Sequence, residues 1–191
     1  MNRRSFLTYL PGLLAVPTLV SACGQGQSQS AQEADSGRAV PDDSLRIHSA
    51  IGDFEVLNKP AEAWRGVVSE EAYQILFEDG TEPRYSSDLL KIKARGTYIC
   101  AACYLPLFPS TTKYESGTGW PSFWAPLEGN LGEEMDRSLG MARTEYHCKR
   151  CGGHQGHIFN DGPNPTGLRY CNNGLALRFI PEVDPLPDLR S

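Results

Sequence analysis

HQGHIFNDGPNPTGLRYCNNGLALRF occupies residues 154–179 and is the stretch around which the rest of the chain is organised. Its middle, residues 160–167, is so rich in Gly, Pro and Asn that it predicts a turn or loop. A chain that reverses there brings the two histidines before the loop, His154 and His157, back onto the cysteine after it, Cys171.

Cys171 stands outside any paired spacing of cysteines. A cysteine is a strong nucleophile only as its thiolate, and a nearby imidazolium or guanidinium lowers the pKa of the thiol. Arg169 is two residues earlier and would lie on the same side of a strand. The residues that follow, Leu175–Ile180, predict a strand that ends at Pro181. The alternative is a buried structural thiol with two histidines that only brace the loop.

The chain has 191 residues, 40% of them hydrophobic and 9% aromatic, which is enough for one domain with a buried core. Its formal net charge of −5 argues against a nucleic-acid partner, which would need a basic patch. The domain is predicted over residues 59–181, followed by a C-terminal tail over residues 182–191.

Residues 1–22 are predicted to be a bacterial export signal. A short basic start with Arg3-Arg4 precedes an apolar run that is too short to span a bilayer but long enough for a signal-peptide core. The paired arginines resemble a twin-arginine signal, with the general secretion route as the alternative. Val20-Ser21-Ala22-Cys23 resembles a lipobox, although an ordinary cleavage site with an incidental cysteine would look similar.

Lipidation of Cys23 predicts a protein anchored in the bacterial cell envelope by two or three acyl chains, on the extracytoplasmic, periplasm-facing side. Residues 23–58 would then be the lipidated N-terminus and a flexible linker. The linker starts with GQGQSQSAQ and has almost no large apolar residue up to about Ser44, so it cannot offset the entropy of ordering.

Two short helices are predicted at the start of the domain. Lys59–Trp64 carries a proline in its first turn, where proline is tolerated. Ser69 is a good N-cap for Glu70–Phe77, which begins with acidic residues and has apolar residues at helical spacing.

Four of the six cysteines form two CxxC pairs, Cys100 with Cys103 and Cys148 with Cys151. Each pair follows a predicted strand, and two such turns can place four thiolates at the corners of a tetrahedron, as structural zinc prefers. Disulfides are an alternative outside the cytoplasm. A thioredoxin-like redox pair is another, but it would need a βαβ context that the sequence lacks. The sequence therefore predicts one structural Zn²⁺ per chain.

Between the two pairs lies a run of glycine, proline and aromatic residues, Ser116–Trp124. It predicts either a core turn or the wall of an apolar pocket in which Trp120 faces a small ligand. A sulfur-bearing side chain would suit such a wall, since thioethers pack favourably on aromatic edges.

Five motifs of the chain, taken in order, resemble the B-type methionine sulfoxide reductases, which act on methionine-R-sulfoxide. They are YICAAC (98–103), SGTGWPSF (116–123), CKRCG (148–152), HQGHIFNDGP (154–163) and RYCNN (169–173). The resemblance implies a mainly β fold of two antiparallel sheets, the β-tent arrangement, with the zinc site at one end.

The resemblance also implies roles for individual residues. Cys171 matches the catalytic nucleophile, while His154, His157 and Asn173 match the polar residues of the active site. Trp120 matches the residue that holds the substrate's methyl group. Many family members have a resolving cysteine two residues before this tryptophan, where this chain has Thr118.

The chemistry implied is reduction of oxidised protein methionines. Cys171 attacks the sulfoxide sulfur, a histidine supplies the proton for its oxygen, and the cysteine becomes a sulfenic acid. An external thiol, from a thioredoxin-like domain or a small molecule, would reset the enzyme. The alternative is a zinc-stapled, membrane-tethered binding module without turnover, which would not need a reactive thiol beside two histidines.

Overall fold

The structure is a computed structural model, and it describes residues 53–137 and 142–191. The predicted export signal, Cys23 and most of the predicted linker lie outside these residues. Within the two described ranges, no helix is long and apolar enough to cross a membrane.

The described residues form two antiparallel sheets, which confirms the predicted mainly β fold. The three-stranded sheet has the order β2-β1-β9, and the six-stranded sheet has the order β3-β4-β8-β7-β6-β5. The strands are β1 Gly96–Cys100, β2 Pro106–Pro109, β3 Lys113–Tyr114, β4 Ser122–Phe123, β5 Leu131–Asp136, β6 Arg143–Cys148, β7 His154–Phe159, β8 Arg169–Asn172 and β9 Leu177–Pro181.

The one α-helix of the described residues, α1, spans Glu70–Phe77 as predicted. The hydroxyl of Ser69 accepts a hydrogen bond from the backbone N–H of Ala72, which satisfies one of the free donors at the helix start. The predicted helix before it is a shorter 3-10 turn, Ala61–Trp64, whose tryptophan is fully buried.

An aromatic core fills the space between the two sheets. The three-stranded sheet contributes Tyr98 and Phe108, and the six-stranded sheet contributes Phe123, Tyr146 and Tyr170. The rings of Phe108 and Phe123 stack at a centroid distance of 4.2 Å, and the remaining pairs meet edge to face. Such pairs stabilise by about 0.5–1.5 kcal/mol beyond the area that they bury.

The loop predicted over residues 160–167 connects β7 to β8, and the two strands pair as an antiparallel hairpin. In this register His157 lies directly opposite Cys171, as the chain reversal predicted. Gly156 faces β8 so closely that a Cβ there would overlap the carbonyl group of Cys171. Glycine at this position therefore lets the two strands approach.

The strand predicted over Leu175–Ile180 begins later than expected. Gly174–Ala176 forms a 3-10 turn, and β9 runs from Leu177 to Pro181. The turn arises because the backbone N–H groups of Gly174 and Leu175 bond to a buried carboxylate instead of a neighbouring strand. This contact reaches back about ninety residues, so local sequence does not reveal it.

Candidate active site and metal centre

One cavity of about 380 Å³ collects all five residues that the sequence singled out for the active site. Cys171, His154, His157, Asn173 and Trp120 line it together with polar groups from β5 and β6. Three of these five come from the β7–β8 hairpin, Asn173 follows β8 directly, and Trp120 precedes β4. The hairpin therefore positions most of the site.

Cys171 lies in β8 and is partly exposed. Burial is the largest influence on its thiol and raises the pKa above the ordinary cysteine value. The guanidinium of Arg169 and the hydroxyl of Thr118 oppose this by favouring the thiolate. Arg169 is itself held by a two-pronged ion pair with Asp161, at 2.8 and 2.9 Å. The guanidinium alone would lower the thiol pKa, but the net direction is upward because burial is the stronger effect.

Each histidine is paired with a carboxylate. Nδ1 of His154 lies 2.6 Å from Oε1 of Glu145, and Nε2 of His157 lies 2.8 Å from Oδ2 of Asp136. The two rings stand 5.5 Å apart, centroid to centroid. In each ring one nitrogen is engaged by the carboxylate, so the other nitrogen is the one that can exchange a proton with a ligand.

Burial lowers the pKa of His157 below its ordinary value, and the neighbouring Arg143 and His154 lower it further. Asp136 favours the charged form but does not reverse the direction. Arg143 also bonds the same carboxylate oxygen, at 2.6 Å. The surroundings of His157 therefore favour its neutral form in the free protein.

Asn173 is buried, and the orientation of its amide is fixed by the backbone. Its Oδ1 accepts from the N–H of Glu82 at 3.1 Å, and its Nδ2 donates to the carbonyl of Gln155 at 3.2 Å. Because Nδ2 carries two hydrogens, one donor remains for a ligand in the cavity. Trp120 is held similarly, since its Nε1 donates to the carbonyl of Glu82 at 3.1 Å.

A row of hydroxyl groups lies behind the nucleophile. Ser116 Oγ is 2.9 Å from Thr118 Oγ1 and 2.7 Å from Ser122 Oγ. Ser122 is the residue paired with Cys171 across β4 and β8. Thr118 is therefore near Cys171, and its hydroxyl favours the thiolate of that residue.

The two CxxC pairs converge as predicted, with four sulfur atoms within 4.8 Å of one another. We call this cluster of Cys100, Cys103, Cys148 and Cys151 the metal clip. Sulfurs of different pairs lie close together, Cys100 to Cys151 at 3.7 Å and Cys103 to Cys148 at 3.5 Å. These separations are too long for disulfides, which need about 2.05 Å. They match the spacing of about 3.8 Å between sulfurs bound at about 2.3 Å to one tetrahedral ion.

The two turns of the metal clip have the same backbone geometry. In each, the carbonyl of the first cysteine accepts from the N–H four residues later, Tyr104 in one and Gly152 in the other. Both of these residues have a positive φ, 66° and 74°. Two equivalent turns that present buried thiols to each other suit a four-coordinate metal ion.

Residues just outside both boundaries of the predicted domain attach to the turns that carry the clip cysteines. Leu57 N donates to the carbonyl of Arg150 at 2.6 Å, and Arg190 N donates to the carbonyl of Cys103 at 3.0 Å. The Arg150 guanidinium also donates to the carbonyl of Arg190. Residues near both boundaries of the predicted domain therefore contact the clip, which sequence reasoning did not predict.

Sequence reasoning missed four charged residues that line the cavity, Asp79, Asp136, Arg143 and Glu145, and it missed the buried Glu82 next to them. Asp136 lies on β5, and Arg143 and Glu145 lie on β6. Glu145 could have been found, because it stands in a predicted strand three residues before Cys148. The others have no distinguishing local pattern.

The chain is similar to one domain family and to several proteins that share one name. The model of the SelR domain matches residues 68–181. A protein of Leptospira interrogans named peptide methionine sulfoxide reductase MsrB is 52% identical over 131 residues, which is 68% of this chain and 99% of that protein. Proteins of the same name from Teredinibacter turnerae and Pseudomonas putida are 49% and 48% identical, over 65% and 67% of this chain and 93% and 97% of their own.

The raised pKa of Cys171 predicts how its reactivity depends on pH. Because the thiolate is the reactive form, the rate of alkylation by iodoacetamide should rise with pH to an inflection above the ordinary cysteine value. Arg169→Ala should move the inflection to still higher pH, since it removes a charge that favours the thiolate. Peptide mapping of Cys171 by mass spectrometry measures both rates.

Arg178→Ala is the matched control, because Arg178 is exposed on β9 and bonds to the hydroxyl of Tyr104. Its profile should overlay that of the unmodified protein. An inflection at or below the ordinary thiol value would contradict the prediction.

Proposed function

The chain belongs to the SelR-domain family of peptide methionine sulfoxide reductases, and we propose that it reduces protein-bound methionine-R-sulfoxide through Cys171. The observation that carries the proposal is the single cavity in which a partly exposed cysteine meets two histidines, an asparagine and a tryptophan. A reductase needs a nucleophilic sulfur, a proton donor and a wall for the methyl group, and these residue types supply them.

In the first step the sulfur of Cys171 attacks the sulfoxide sulfur. The S–O bond of the sulfoxide breaks, its oxygen ends on Cys171 as a sulfenic acid, and methionine leaves with its sulfur reduced. Cys171 is oxidised by the same two electrons, so the step balances without a redox cofactor. The thiol proton of Cys171 passes to a neutral histidine of the cavity as the sulfur attacks, and that histidine then gives the proton to the departing oxygen.

Both histidines are suited to that role. Each has one ring nitrogen on a carboxylate, which orients the ring and leaves the other nitrogen for the proton. His157 lies opposite Cys171 in the β7–β8 hairpin. His154 lies three residues earlier in β7 and lines the same cavity. His154→Ala and His157→Ala each remove one imidazole ring that can carry the proton to the sulfoxide oxygen.

Trp120 and Asn173 would hold the substrate. The indole face packs on the methyl group, and the free N–H of the Asn173 amide donates to the sulfoxide oxygen. A sulfoxide sulfur is a stereocentre, so fixing both its methyl group and its oxygen relative to Cys171 admits one epimer. We assign this to the R form.

The activity assay tests this assignment directly. With a dithiol reductant, R-sulfoxide of a peptide methionine should be reduced and the S form left almost untouched. Cys171→Ser should abolish activity, and each histidine variant should lose about 100-fold or more, as removal of a general acid typically does. Equal rates on both epimers, or activity in Cys171→Ser, would overturn the proposal.

The metal clip would hold one structural Zn²⁺ through Cys100, Cys103, Cys148 and Cys151. Four buried thiol ligands with tetrahedral spacing favour zinc over the harder cations. Bound there, the ion contributes folding stability and no step of the reaction.

We propose a chain that is exported and anchored by lipid, with residues 1–22 removed, residues 23–58 as tether and residues 59–181 as the reductase domain. The support is the basic start, the apolar run and the lipobox-like residues that end at Cys23. The substrates would then be oxidised proteins in the extracytoplasmic, periplasm-facing space. Mass spectrometry of the membrane fraction should find an acylated N-terminal Cys23, and an unmodified soluble Cys23 would contradict the anchor.

The sulfenic acid would be reset by an external thiol. Among the described cysteines, Cys171 is the one outside the metal clip, and Cys23 is proposed to be lipid-linked. Thr118, where many relatives carry a resolving cysteine, has a hydroxyl that cannot form a disulfide. A thioredoxin-like domain or a small thiol would attack the sulfenic sulfur, release water and leave a mixed disulfide that a second thiol then resolves.

One turnover without reductant tests this single-cysteine cycle. Dimedone should trap the sulfenic acid at Cys171, with one zinc per chain retained. Thr118→Cys should instead give a disulfide with Cys171, because residue 118 lies next to the sulfur. A disulfide from Cys171 to a clip cysteine with loss of zinc would reject the cycle, and purified protein with clearly less than one zinc would reject the metal assignment.

A further inference from the structure

Glu82 is a buried carboxylate near the active site that the mechanism above does not use. Only 3% of its surface is exposed. Its Oε1 accepts from the N–H of Gly174 at 2.6 Å, and its Oε2 accepts from the N–H of Leu175 at 3.0 Å. A buried charge is costly unless hydrogen bonds satisfy it, so this pair of bonds fixes the carboxylate tightly against the turn after β8.

The backbone of Glu82 contacts two residues of the candidate site. Its N–H donates to Oδ1 of Asn173 at 3.1 Å, and its carbonyl accepts from Nε1 of Trp120 at 3.1 Å. One residue thus contacts the side chains proposed to hold the oxygen and the methyl group of the substrate. The side chain of Glu82 anchors the backbone that makes both contacts.

Residues next to Glu82 in space and in sequence support this arrangement of the carboxylate and its backbone. A Cβ at Gly174 would overlap the side chain of Ser87 and lie 3.1 Å from Oε1 of Glu82, so glycine is required there. Immediately after Glu82, Arg84 donates to the carbonyl of Thr118 at 2.9 Å and Tyr85 N donates to the carbonyl of Gly119 at 2.7 Å. The segment that begins at Glu82 therefore also holds the loop that carries Trp120.

We propose that Glu82 is a positioning residue for the reductase reaction, fixing the distance and orientation between Trp120 and Asn173 across the substrate. The inference rests on the proposed function, because it assigns substrate contacts to those two residues. It predicts that the side chain of Glu82, which does not line the cavity, affects both substrate binding and the chemical step.

The first test is Glu82→Gln, which has nearly the same shape but keeps only one acceptor oxygen. The second backbone N–H then faces an amide NH₂, and the turn must shift. We expect kcat/KM for the R-sulfoxide to fall by about 10- to 100-fold, the size of effect that a misplacement of about 1 Å produces. KM should rise because Trp120 no longer holds the substrate's methyl group in place, and kcat should fall because Asn173 is misplaced relative to the sulfoxide oxygen.

Glu78→Gln is the matched control. Glu78 is an exposed glutamate four residues earlier that pairs with Arg65 and contacts neither site residue. Its kinetics should equal those of the unmodified enzyme. Circular dichroism and metal content show whether Glu82→Gln is folded. If it is not, Glu82→Asp is measured instead, because it keeps the charge on a side chain that is one methylene shorter.

A double-mutant cycle separates positioning from a general effect on the fold. If Glu82 acts through Asn173, then Glu82→Gln in an Asn173→Ala background should lose much less kcat than it does alone. A full loss in that background, or folded Glu82→Gln with kinetics within twofold of the unmodified enzyme, would overturn the inference. An unmodified enzyme without R-sulfoxide reductase activity would instead reject the proposed function, and the positioning role with it.

Discussion

The convergence of four sulfur atoms is the constraint on which the rest of the structure depends. Cys100 ends β1 in the three-stranded sheet, and Cys148 ends β6 in the six-stranded sheet. The metal clip therefore joins the two sheets at one end, and the aromatic core fills the space between them. Leu57 and Arg190 also bond to the turns of the clip, so segments before β1 and after β9 meet the two sheets there.

The active site lies on β5 to β8 of the six-stranded sheet, and burial influences its cysteine and His157 more than charge does. Burial raises the pKa of Cys171 and lowers that of His157, so each group favours its neutral form. The uncharged thiol and the uncharged imidazole therefore lie opposite each other across β7 and β8.

Sequence reasoning succeeded where the determinants were local. The glycine- and proline-rich loop over residues 160–167 fixed the β7–β8 hairpin, the Ser69 cap fixed the start of α1, and the CxxC spacing fixed the metal clip. It failed where the determinants were distant. Glu82 bonds to Asn173 across 91 residues, and nothing in the segment around it predicts a buried carboxylate. The direction in which the pKa of Cys171 shifts could not be predicted from the sequence either, because it depends on how deeply the folded chain buries the thiol.

The pairing of the first strand with the last has a consequence for biosynthesis. β1 lies between β2 and β9, and Arg190 bonds back to Val67 across 123 residues. A growing chain that has not reached β8 lacks β9 of the three-stranded sheet and Cys171 of the active site. Contacts of such long range make folding slow and delay it until synthesis is finished. We therefore expect the three-stranded sheet to be completed only after β9 has been synthesised.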